Sequence, residues 1–270
     1  SLMDGSVAVT QTGGPSLGGL LVQLLTAPGA IIADVVSYVV SAFLLSTLPR
    51  PKSPQSAKGQ ASTLTLIKEG CRYVLNHPVI RPCTLCATIG NFVAGGLLAL
   101  TPVFLVRTLG APPWLVGVLI ASEGAGGLLG AALTSRLASK MGTGRAVVVA
   151  ESTAVILALL MPSARDGWWG FVLFGIGNAG FASGVVVGNI LTRTYRQTAV
   201  PPDLFPRVMA TVRFISWGVI PFGALTAGAV ASAAGNRIAL WLVCLINFAA
   251  PLSLLMSKVR ACHDLADASP

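Results

Sequence analysis

Charge is scarce in this chain. Only 10% of its 270 residues are Asp, Glu, Lys or Arg, where a soluble globular domain carries about 25%, so a water-soluble fold is excluded. Acidic residues are the scarcer half, nine against eighteen basic ones. Histidine is nearly missing too. His77 and His263 stand alone, without the partner patterns that a membrane-embedded enzyme needs. There is no Gly-x-x-x-x-Gly-Lys phosphate loop, which excludes an ATPase within the chain itself. The five cysteines, Cys71, Cys83, Cys86, Cys244 and Cys262, are odd in number and make no disulfide framework. Cys83-x-x-Cys86 has neither a nearby histidine nor a second pair, so it reads as two small packing residues, and no metal is expected.

Apolar residues fill the space that charge leaves, at 54% of the chain. Eight apolar runs approach the roughly 20 residues that cross a bilayer: Val7 to Leu25, Ala30 to Leu48, Pro82 to Leu105, Trp114 to Leu137, Ala146 to Met161, Trp168 to Leu191, Val208 to Ala234 and Ile238 to Met256. The expected fold class is therefore an all-α integral membrane protein with the lipid bilayer as its first partner.

The net charge of +9 would suggest nucleic acid in a soluble protein, but its distribution gives another reading. Arg50, Lys52, Lys58, Lys68, Arg72 and Arg81 share one connection, and Arg136, Lys140 and Arg145 share another on the same side. Arg193, Arg196, Arg207, Lys258 and Arg260 fall there as well, leaving Arg107, Arg165 and Arg237 opposite and Arg213 inside a span. The positive-inside rule makes the basic side cytoplasmic, with both termini of the chain on it. The basicity expresses orientation, and no nucleic-acid partner is expected.

The one long connection, 49–81, opens as a Pro/Ser/Lys/Gln linker and continues into a helical pattern. Leu64, Ile67, Cys71 and Val74 recur at helical spacing while Lys68, Glu69 and Arg72 point elsewhere, which predicts an amphipathic helix on the membrane face. An internal repeat also shows. Pro15 and Pro221 stand at the same distance ahead of Gly29 and Gly235, each in an apolar run followed by another. The first pair of spans thus reads as a distant, parallel copy of the last pair. Two six-helix halves related by an axis along the membrane normal are a known transporter plan. On that plan the chain holds helices five to twelve and lacks the first four. Residues 1–48 would close the first half, 82–257 would form a complete six-helix second half, and 258–270 would be a cytoplasmic tail.

Several segments resemble the major facilitator superfamily, and within it the bacterial secretion-effector branch that includes drug and siderophore exporters. "GPSLGG", Gly14 to Gly19, matches the second part of the antiporter motif on that superfamily's fifth helix. "EGCRYVLNHPVIRP", Glu69 to Pro82, resembles the segment joining the two halves, and "PRVMATVRFISWGVIPFGAL", Pro206 to Leu225, the eleventh helix. "SRLASKMGTGR", Ser135 to Arg145, is similar to the second-half copy of the cytoplasmic loop motif, with Ser135 in place of its glycine and Ser139 in place of its acid. The resemblance implies a twelve-helix transporter of the bacterial inner membrane that works by alternating access, driven by a proton gradient and needing no cofactor. Its cargo would be a small molecule.

Candidate residues follow from what is expensive in lipid. Gly14, Gly18 and Gly19 give a flat face for close helix contact and Pro15 a kink, a combination suited to gating, and Pro221 repeats it. Glu123 lies near the middle of its span, where a carboxylate is a candidate proton carrier. Arg213 needs a carboxylate or carbonyl partner, Glu151 among the possibilities, although Glu151 itself reads as an interfacial pair with Arg145 or Lys140. Asn91, Asn178, Asn189 and Trp217 are polar groups fit to line a cavity, and the resemblance puts Asn189 and Trp217 on cavity-facing helices. Arg136, Lys140 and Arg145 carry the cytoplasmic loop motif. The functional expectation is a secondary transporter for proton-coupled efflux of a small amphipathic compound. A fragment that needs a partner before it transports, and less readily a membrane-embedded enzyme, are the other readings the residues leave open.

Overall fold

The computed structural model describes residues 35–44, 46–47 and 63–265, and every regular element among them is helical. Gly14, Pro15, Gly18 and Gly19, with the whole of the first expected span, lie outside the described residues. Within the second expected span, helix α1 covers Val35–Leu44. The hydroxyls of Ser46 and Thr47 donate to the Phe43 and Leu44 carbonyls at 2.6 and 2.7 Å.

Residues from Ser62 onward form a compact unit of their own. It starts with α2, Thr63–Asn76. Six helices long and apolar enough to cross a membrane follow: α3 Ile80–Thr108, α4 Pro113–Met141, α5 Thr143–Ser163, α6 Trp168–Ala199, α7 Phe205–Ala234 and α8 Asn236–Leu255. Each corresponds to one of the six runs expected beyond residue 81, α8 stopping one residue short of Met256. The helices overshoot those runs because polar residues at their ends still make the intrahelical hydrogen bonds that hydrocarbon demands. The last turn of α3, Phe104–Thr108, widens into a π-helix just after Pro102, which has no N–H to give. In α7 a turn at Gly218 and Val219 separates two helical segments. Pro221 occupies the first turn of the second, where a missing N–H costs least.

Helix α6 packs against α4 and α5, while α3 packs against α7 and α8. Lipid tails are as apolar as leucine, so these contacts depend on close approach and on hydrogen bonds. Gly126 and Gly130 of α4 lie one turn apart against the carbonyls of Ala179 and Ser183 on α6, and a Cβ at either glycine would run into them. Gly95 of α3 and Gly223 of α7 make the reciprocal contact, each against a carbonyl beside the other. Two apolar cores result. One gathers Phe104, Leu105, Met161, Phe174 and Leu240. The other, at the basic ends of the helices, gathers Val74, Ile80, Val147, Leu254 and Leu265. Beyond the first core Arg237 donates to the Pro162 and Ala164 carbonyls at 2.9 and 2.5 Å, closing the end of α5.

Helix α2 makes a contact that its sequence pattern did not indicate. It docks on the basic end of α7, with Gly70 against the Arg207 carbonyl and the Thr211 hydroxyl, and Glu69 in a 2.6 Å ion pair with Arg207. Val74 and His77 are buried, whereas Ile67 of the expected apolar stripe is 54% exposed. The reason is steric: glycine lets the two backbones meet, so the docking face centres on Gly70 and not on the most apolar stripe.

The chain after α8 is also held. Gly142, at a φ of 80° that favours glycine, separates α4 from α5. There the Gly144 N–H donates to the His263 carbonyl at 3.1 Å. The Thr143 N–H and hydroxyl donate to Asp264 Oδ1 at 2.9 and 3.0 Å, and the Leu265 N–H donates to the Thr143 hydroxyl at 2.9 Å. Asp264 thus caps α5 from a distant part of the chain, and Leu265 is buried beside it. The first half of the expected tail is a clasp.

Candidate functional site

Polar side chains converge in one groove between α3, α5 and α6, with Leu254 of α8 at its edge. Helix α3 contributes Cys83, Cys86, Ala87, Gly90, Asn91 and Ala94, a single face by the spacing of three and four that aligns side chains on a helix. Helix α6 contributes Val185, Gly188, Asn189 and Thr192 in the same register, and α5 contributes Val147 and Glu151.

Glu151 is the charged member of this lining. Its Oε1 lies over Gly188, where a Cβ would collide with it. Thr192 turns its hydroxyl back onto the Gly188 carbonyl at 2.7 Å, as a threonine inside a helix commonly does. Among the described residues Glu151 has no hydrogen-bond or ion-pair partner. The ion pair with Arg145 or Lys140 expected from sequence is not formed. Helix geometry explains this: Val147 and Val155, four residues to either side, are buried, so Glu151 belongs to the inward face of α5, while Arg145 is exposed. That apolar flank was the readable signal. Cys83 lies within electrostatic reach of both Glu151 and Arg196. Arg196, 8% exposed, has an Nε with no hydrogen-bond partner.

The other candidates separate. Asn91 and Asn189 line the groove with Glu151. Asn178 does not; it is buried and donates to the Leu119 carbonyl and the Ser122 hydroxyl at 3.2 Å each, tying α6 to α4. Such interhelical bonds contribute about 0.6 kcal/mol on average. Glu123 is exposed on α4 and outside the groove. Among the described residues Arg213 pairs with neither Glu151 nor another carboxylate: its guanidinium stands over the Trp217 ring, 4.3 Å from the centroid, with both residues exposed. One turn of helix sets that pair, which satisfies the cation through the ring's negative face. Arg136, Lys140 and Arg145 are exposed on either side of the α4–α5 junction that the clasp holds.

Two titratable groups outside the spans have clear local causes. His77 Nδ1 accepts from the Val79 and Ile80 N–H groups at 3.2 and 3.3 Å, capping α3, and its ring lies near those of Tyr73 and Tyr195. Burial lowers its pKa below the ordinary histidine value. The Asp264 carboxyl is held below the usual carboxylate range by the Thr143 N–H first, then by hydrogen bonds with His263 and the Thr143 hydroxyl.

Six helices of this length and apolarity make a membrane chain, and the family comparison says of which kind. A family model described as transmembrane secretion effector, of the major facilitator superfamily (MFS), matches residues 2–270. The chain belongs to that family. It is thus an integral, multi-pass chain of a transporter family and not of an enzyme family. Among curated proteins it is 30% identical over 260 residues to the MFS-type transporter YfiS of Bacillus subtilis, covering 90% of this chain and 58% of that one. YvqJ of the same organism, also an MFS-type transporter, is 24% identical over 275 residues, covering 99% and 63%. The multidrug efflux pump Tap of Mycolicibacterium fortuitum is 26% identical over 230 residues, covering 82% and 54%. The chain therefore spans about six tenths of the length of the two Bacillus subtilis relatives YfiS and YvqJ.

Proposed function

We infer that the protein of this chain is a proton-coupled exporter of small amphipathic compounds in a bacterial plasma membrane, working by alternating access. The observation that carries this reading is the family match over residues 2–270; beside it, Asn91, Asn189 and Glu151 come together in the wall of an otherwise apolar bundle, and few polar groups of this kind suit cargo of varied shape. Family membership supports transport, and the similarity to a multidrug efflux pump supports the outward direction. The distribution of basic residues supports a cytoplasmic position for the α4–α5 junction and for both ends of this chain. Glu123, a carboxylate within a span and outside the groove, is the proton carrier in this scheme.

Accumulation of ethidium, a cation, and chloramphenicol, a neutral amphiphile, tests the reading in cells producing the whole protein. Lower accumulation of at least one compound, reversed by a protonophore, is expected. Accumulation equal to that of control cells for both sinks it.

A further inference from the structure

The end of the bundle opposite the clasp carries a second cavity, separate from the groove. It measures about 530 Å³ and is lined by Pro162 and Ser163 at the end of α5, Arg165 and Asp166 in the α5–α6 connection, and Arg237 and Trp241 of α8. Arg107, Arg165 and Arg237 are the basic residues of this sparsely basic side, and two of them share the one cavity. The positive-inside bias works against cations there, so a pair in one place needs a local reason.

Packing supplies only part of that reason. Arg237 uses Nη1 on the Pro162 and Ala164 carbonyls, and among the described residues its other guanidinium nitrogens donate to nothing. Neither the Arg165 guanidinium nor the Asp166 carboxylate makes a hydrogen bond or ion pair among the described residues. Two cations and one carboxylate leave the lining with a positive charge in excess. A single phosphodiester balances it, and guanidinium groups bind phosphate oxygens in pairs.

Depth and shape point to what carries the phosphate. Trp168 and Trp169 at the start of α6 are exposed, and Trp241 lines the cavity itself; indole rings gather at the level of lipid headgroups. Trp241, Leu245 and Phe248 follow Arg237 along α8 at steps of four, four and three, which keeps them on one face, and Leu245 and Phe248 are exposed. A charged cavity at the head of an exposed apolar row fits a headgroup and its acyl chain.

We propose that this cavity binds an anionic phospholipid with a hydroxylated headgroup, phosphatidylglycerol in its chemistry. Its phosphodiester lies between Arg165 and Arg237, its glycerol hydroxyls donate to Asp166, and an acyl chain follows Leu245 and Phe248. Phosphatidylcholine would leave the excess charge unbalanced and bring Asp166 no N–H or O–H. The site stands whether or not the protein exports, and in the orientation proposed above it draws lipid from the outer leaflet.

Ser163→Cys puts a reporter on the cavity wall. In the whole protein in detergent, alkylation of that cysteine by a water-soluble maleimide, mapped by mass spectrometry, should slow at least five-fold with dioleoyl phosphatidylglycerol. The same amount of dioleoyl phosphatidylcholine should slow it less than two-fold, and Arg165→Gln should remove the phosphatidylglycerol effect. Equal protection by both lipids marks ordinary surrounding lipid and overturns the site, as does protection that survives Arg165→Gln. Protection by soluble glycerol 3-phosphate as strong as by the lipid marks a site for free phosphate and overturns the lipid assignment. Where Ser163→Cys does not accumulate, deuterium uptake across residues 163–168 of the wild-type protein gives the answer. Phosphatidylglycerol should slow it and phosphatidylcholine should not; uptake indifferent to both overturns the proposal.

Discussion

His77 shows how one side chain ties two helices and makes their junction sensitive to acid. Its Nδ1 accepts two N–H groups at the start of α3, which requires the neutral ring with its proton on the other nitrogen. His77→Ala should cost about 1 kcal/mol, the usual loss on removing a helix cap, read as a lower unfolding temperature in detergent. Because the folded-state pKa is depressed below the ordinary 6.5, the unfolded chain binds the proton more readily. Stability is therefore full above that value and falls as pH drops below it. A difference between wild type and His77→Ala that stays constant from pH 8 to 5 would contradict this. Glu123 is the other residue whose charge makes a prediction. Glu123→Gln should lower protonophore-sensitive export at least ten-fold with normal membrane insertion, and coupling at the wild-type level would remove it from the proton path. Depth within the span set Glu123 apart from Glu151 in the sequence, where Glu151 read as an interfacial ion pair.

Pairs of helices are held by contacts that a single substitution can test. Gly130→Val on α4 places atoms where the Ser183 carbonyl of α6 lies. Forced overpacking costs typically about 1–3 kcal/mol, so this variant should unfold at lower temperature or fail to accumulate, while the same change at Gly117, where nothing lies near, should be tolerated. At the other end of α4 the clasp depends on Thr143, whose hydroxyl donates to Asp264 and accepts from Leu265. Thr143→Ala should speed deuterium uptake at the Leu265 amide, and unchanged protection would show that the buried Leu265 side chain holds the segment alone. The clasp also has an acid limit: with the Asp264 carboxyl held below its ordinary 3.8, its contribution is present above that pH and lost below it. Apolar runs made α3 to α8 legible before any coordinates, since a run long enough to cross lipid must be helical. The docking of α2 was not legible, because helical period marks an apolar face without naming its partner.

For the molecule in its membrane, the proposed orientation makes opposite predictions for the two sides. Asp166→Cys, between α5 and α6, should react with a membrane-impermeant maleimide in intact cells, and Ser139→Cys, near the end of α4, only after permeabilisation. The reverse pattern would invert the topology and with it the direction of export. The groove is a property at this scale too. It exists only where α3, α5 and α6 converge, with residues as far apart in the chain as Cys83 and Thr192.

Composition and hydropathy alone determined that this is an all-helical membrane chain and where its six described spans lie, because a bilayer leaves the backbone no alternative to the helix. Short motifs pointed to the transporter family for a similar reason: closely packed helices need glycine and proline at particular places. Tertiary structure alone decided that Glu151 faces the groove and not Arg145, that Arg213 is satisfied by Trp217, that Asn178 ties helices together and that the segment after α8 clasps α5. Lipid gives no hydrophobic force to turn one helix face inward. Which face points in is settled by close contacts such as Gly188 beneath Glu151, between helices whose pairing the one-dimensional pattern does not contain.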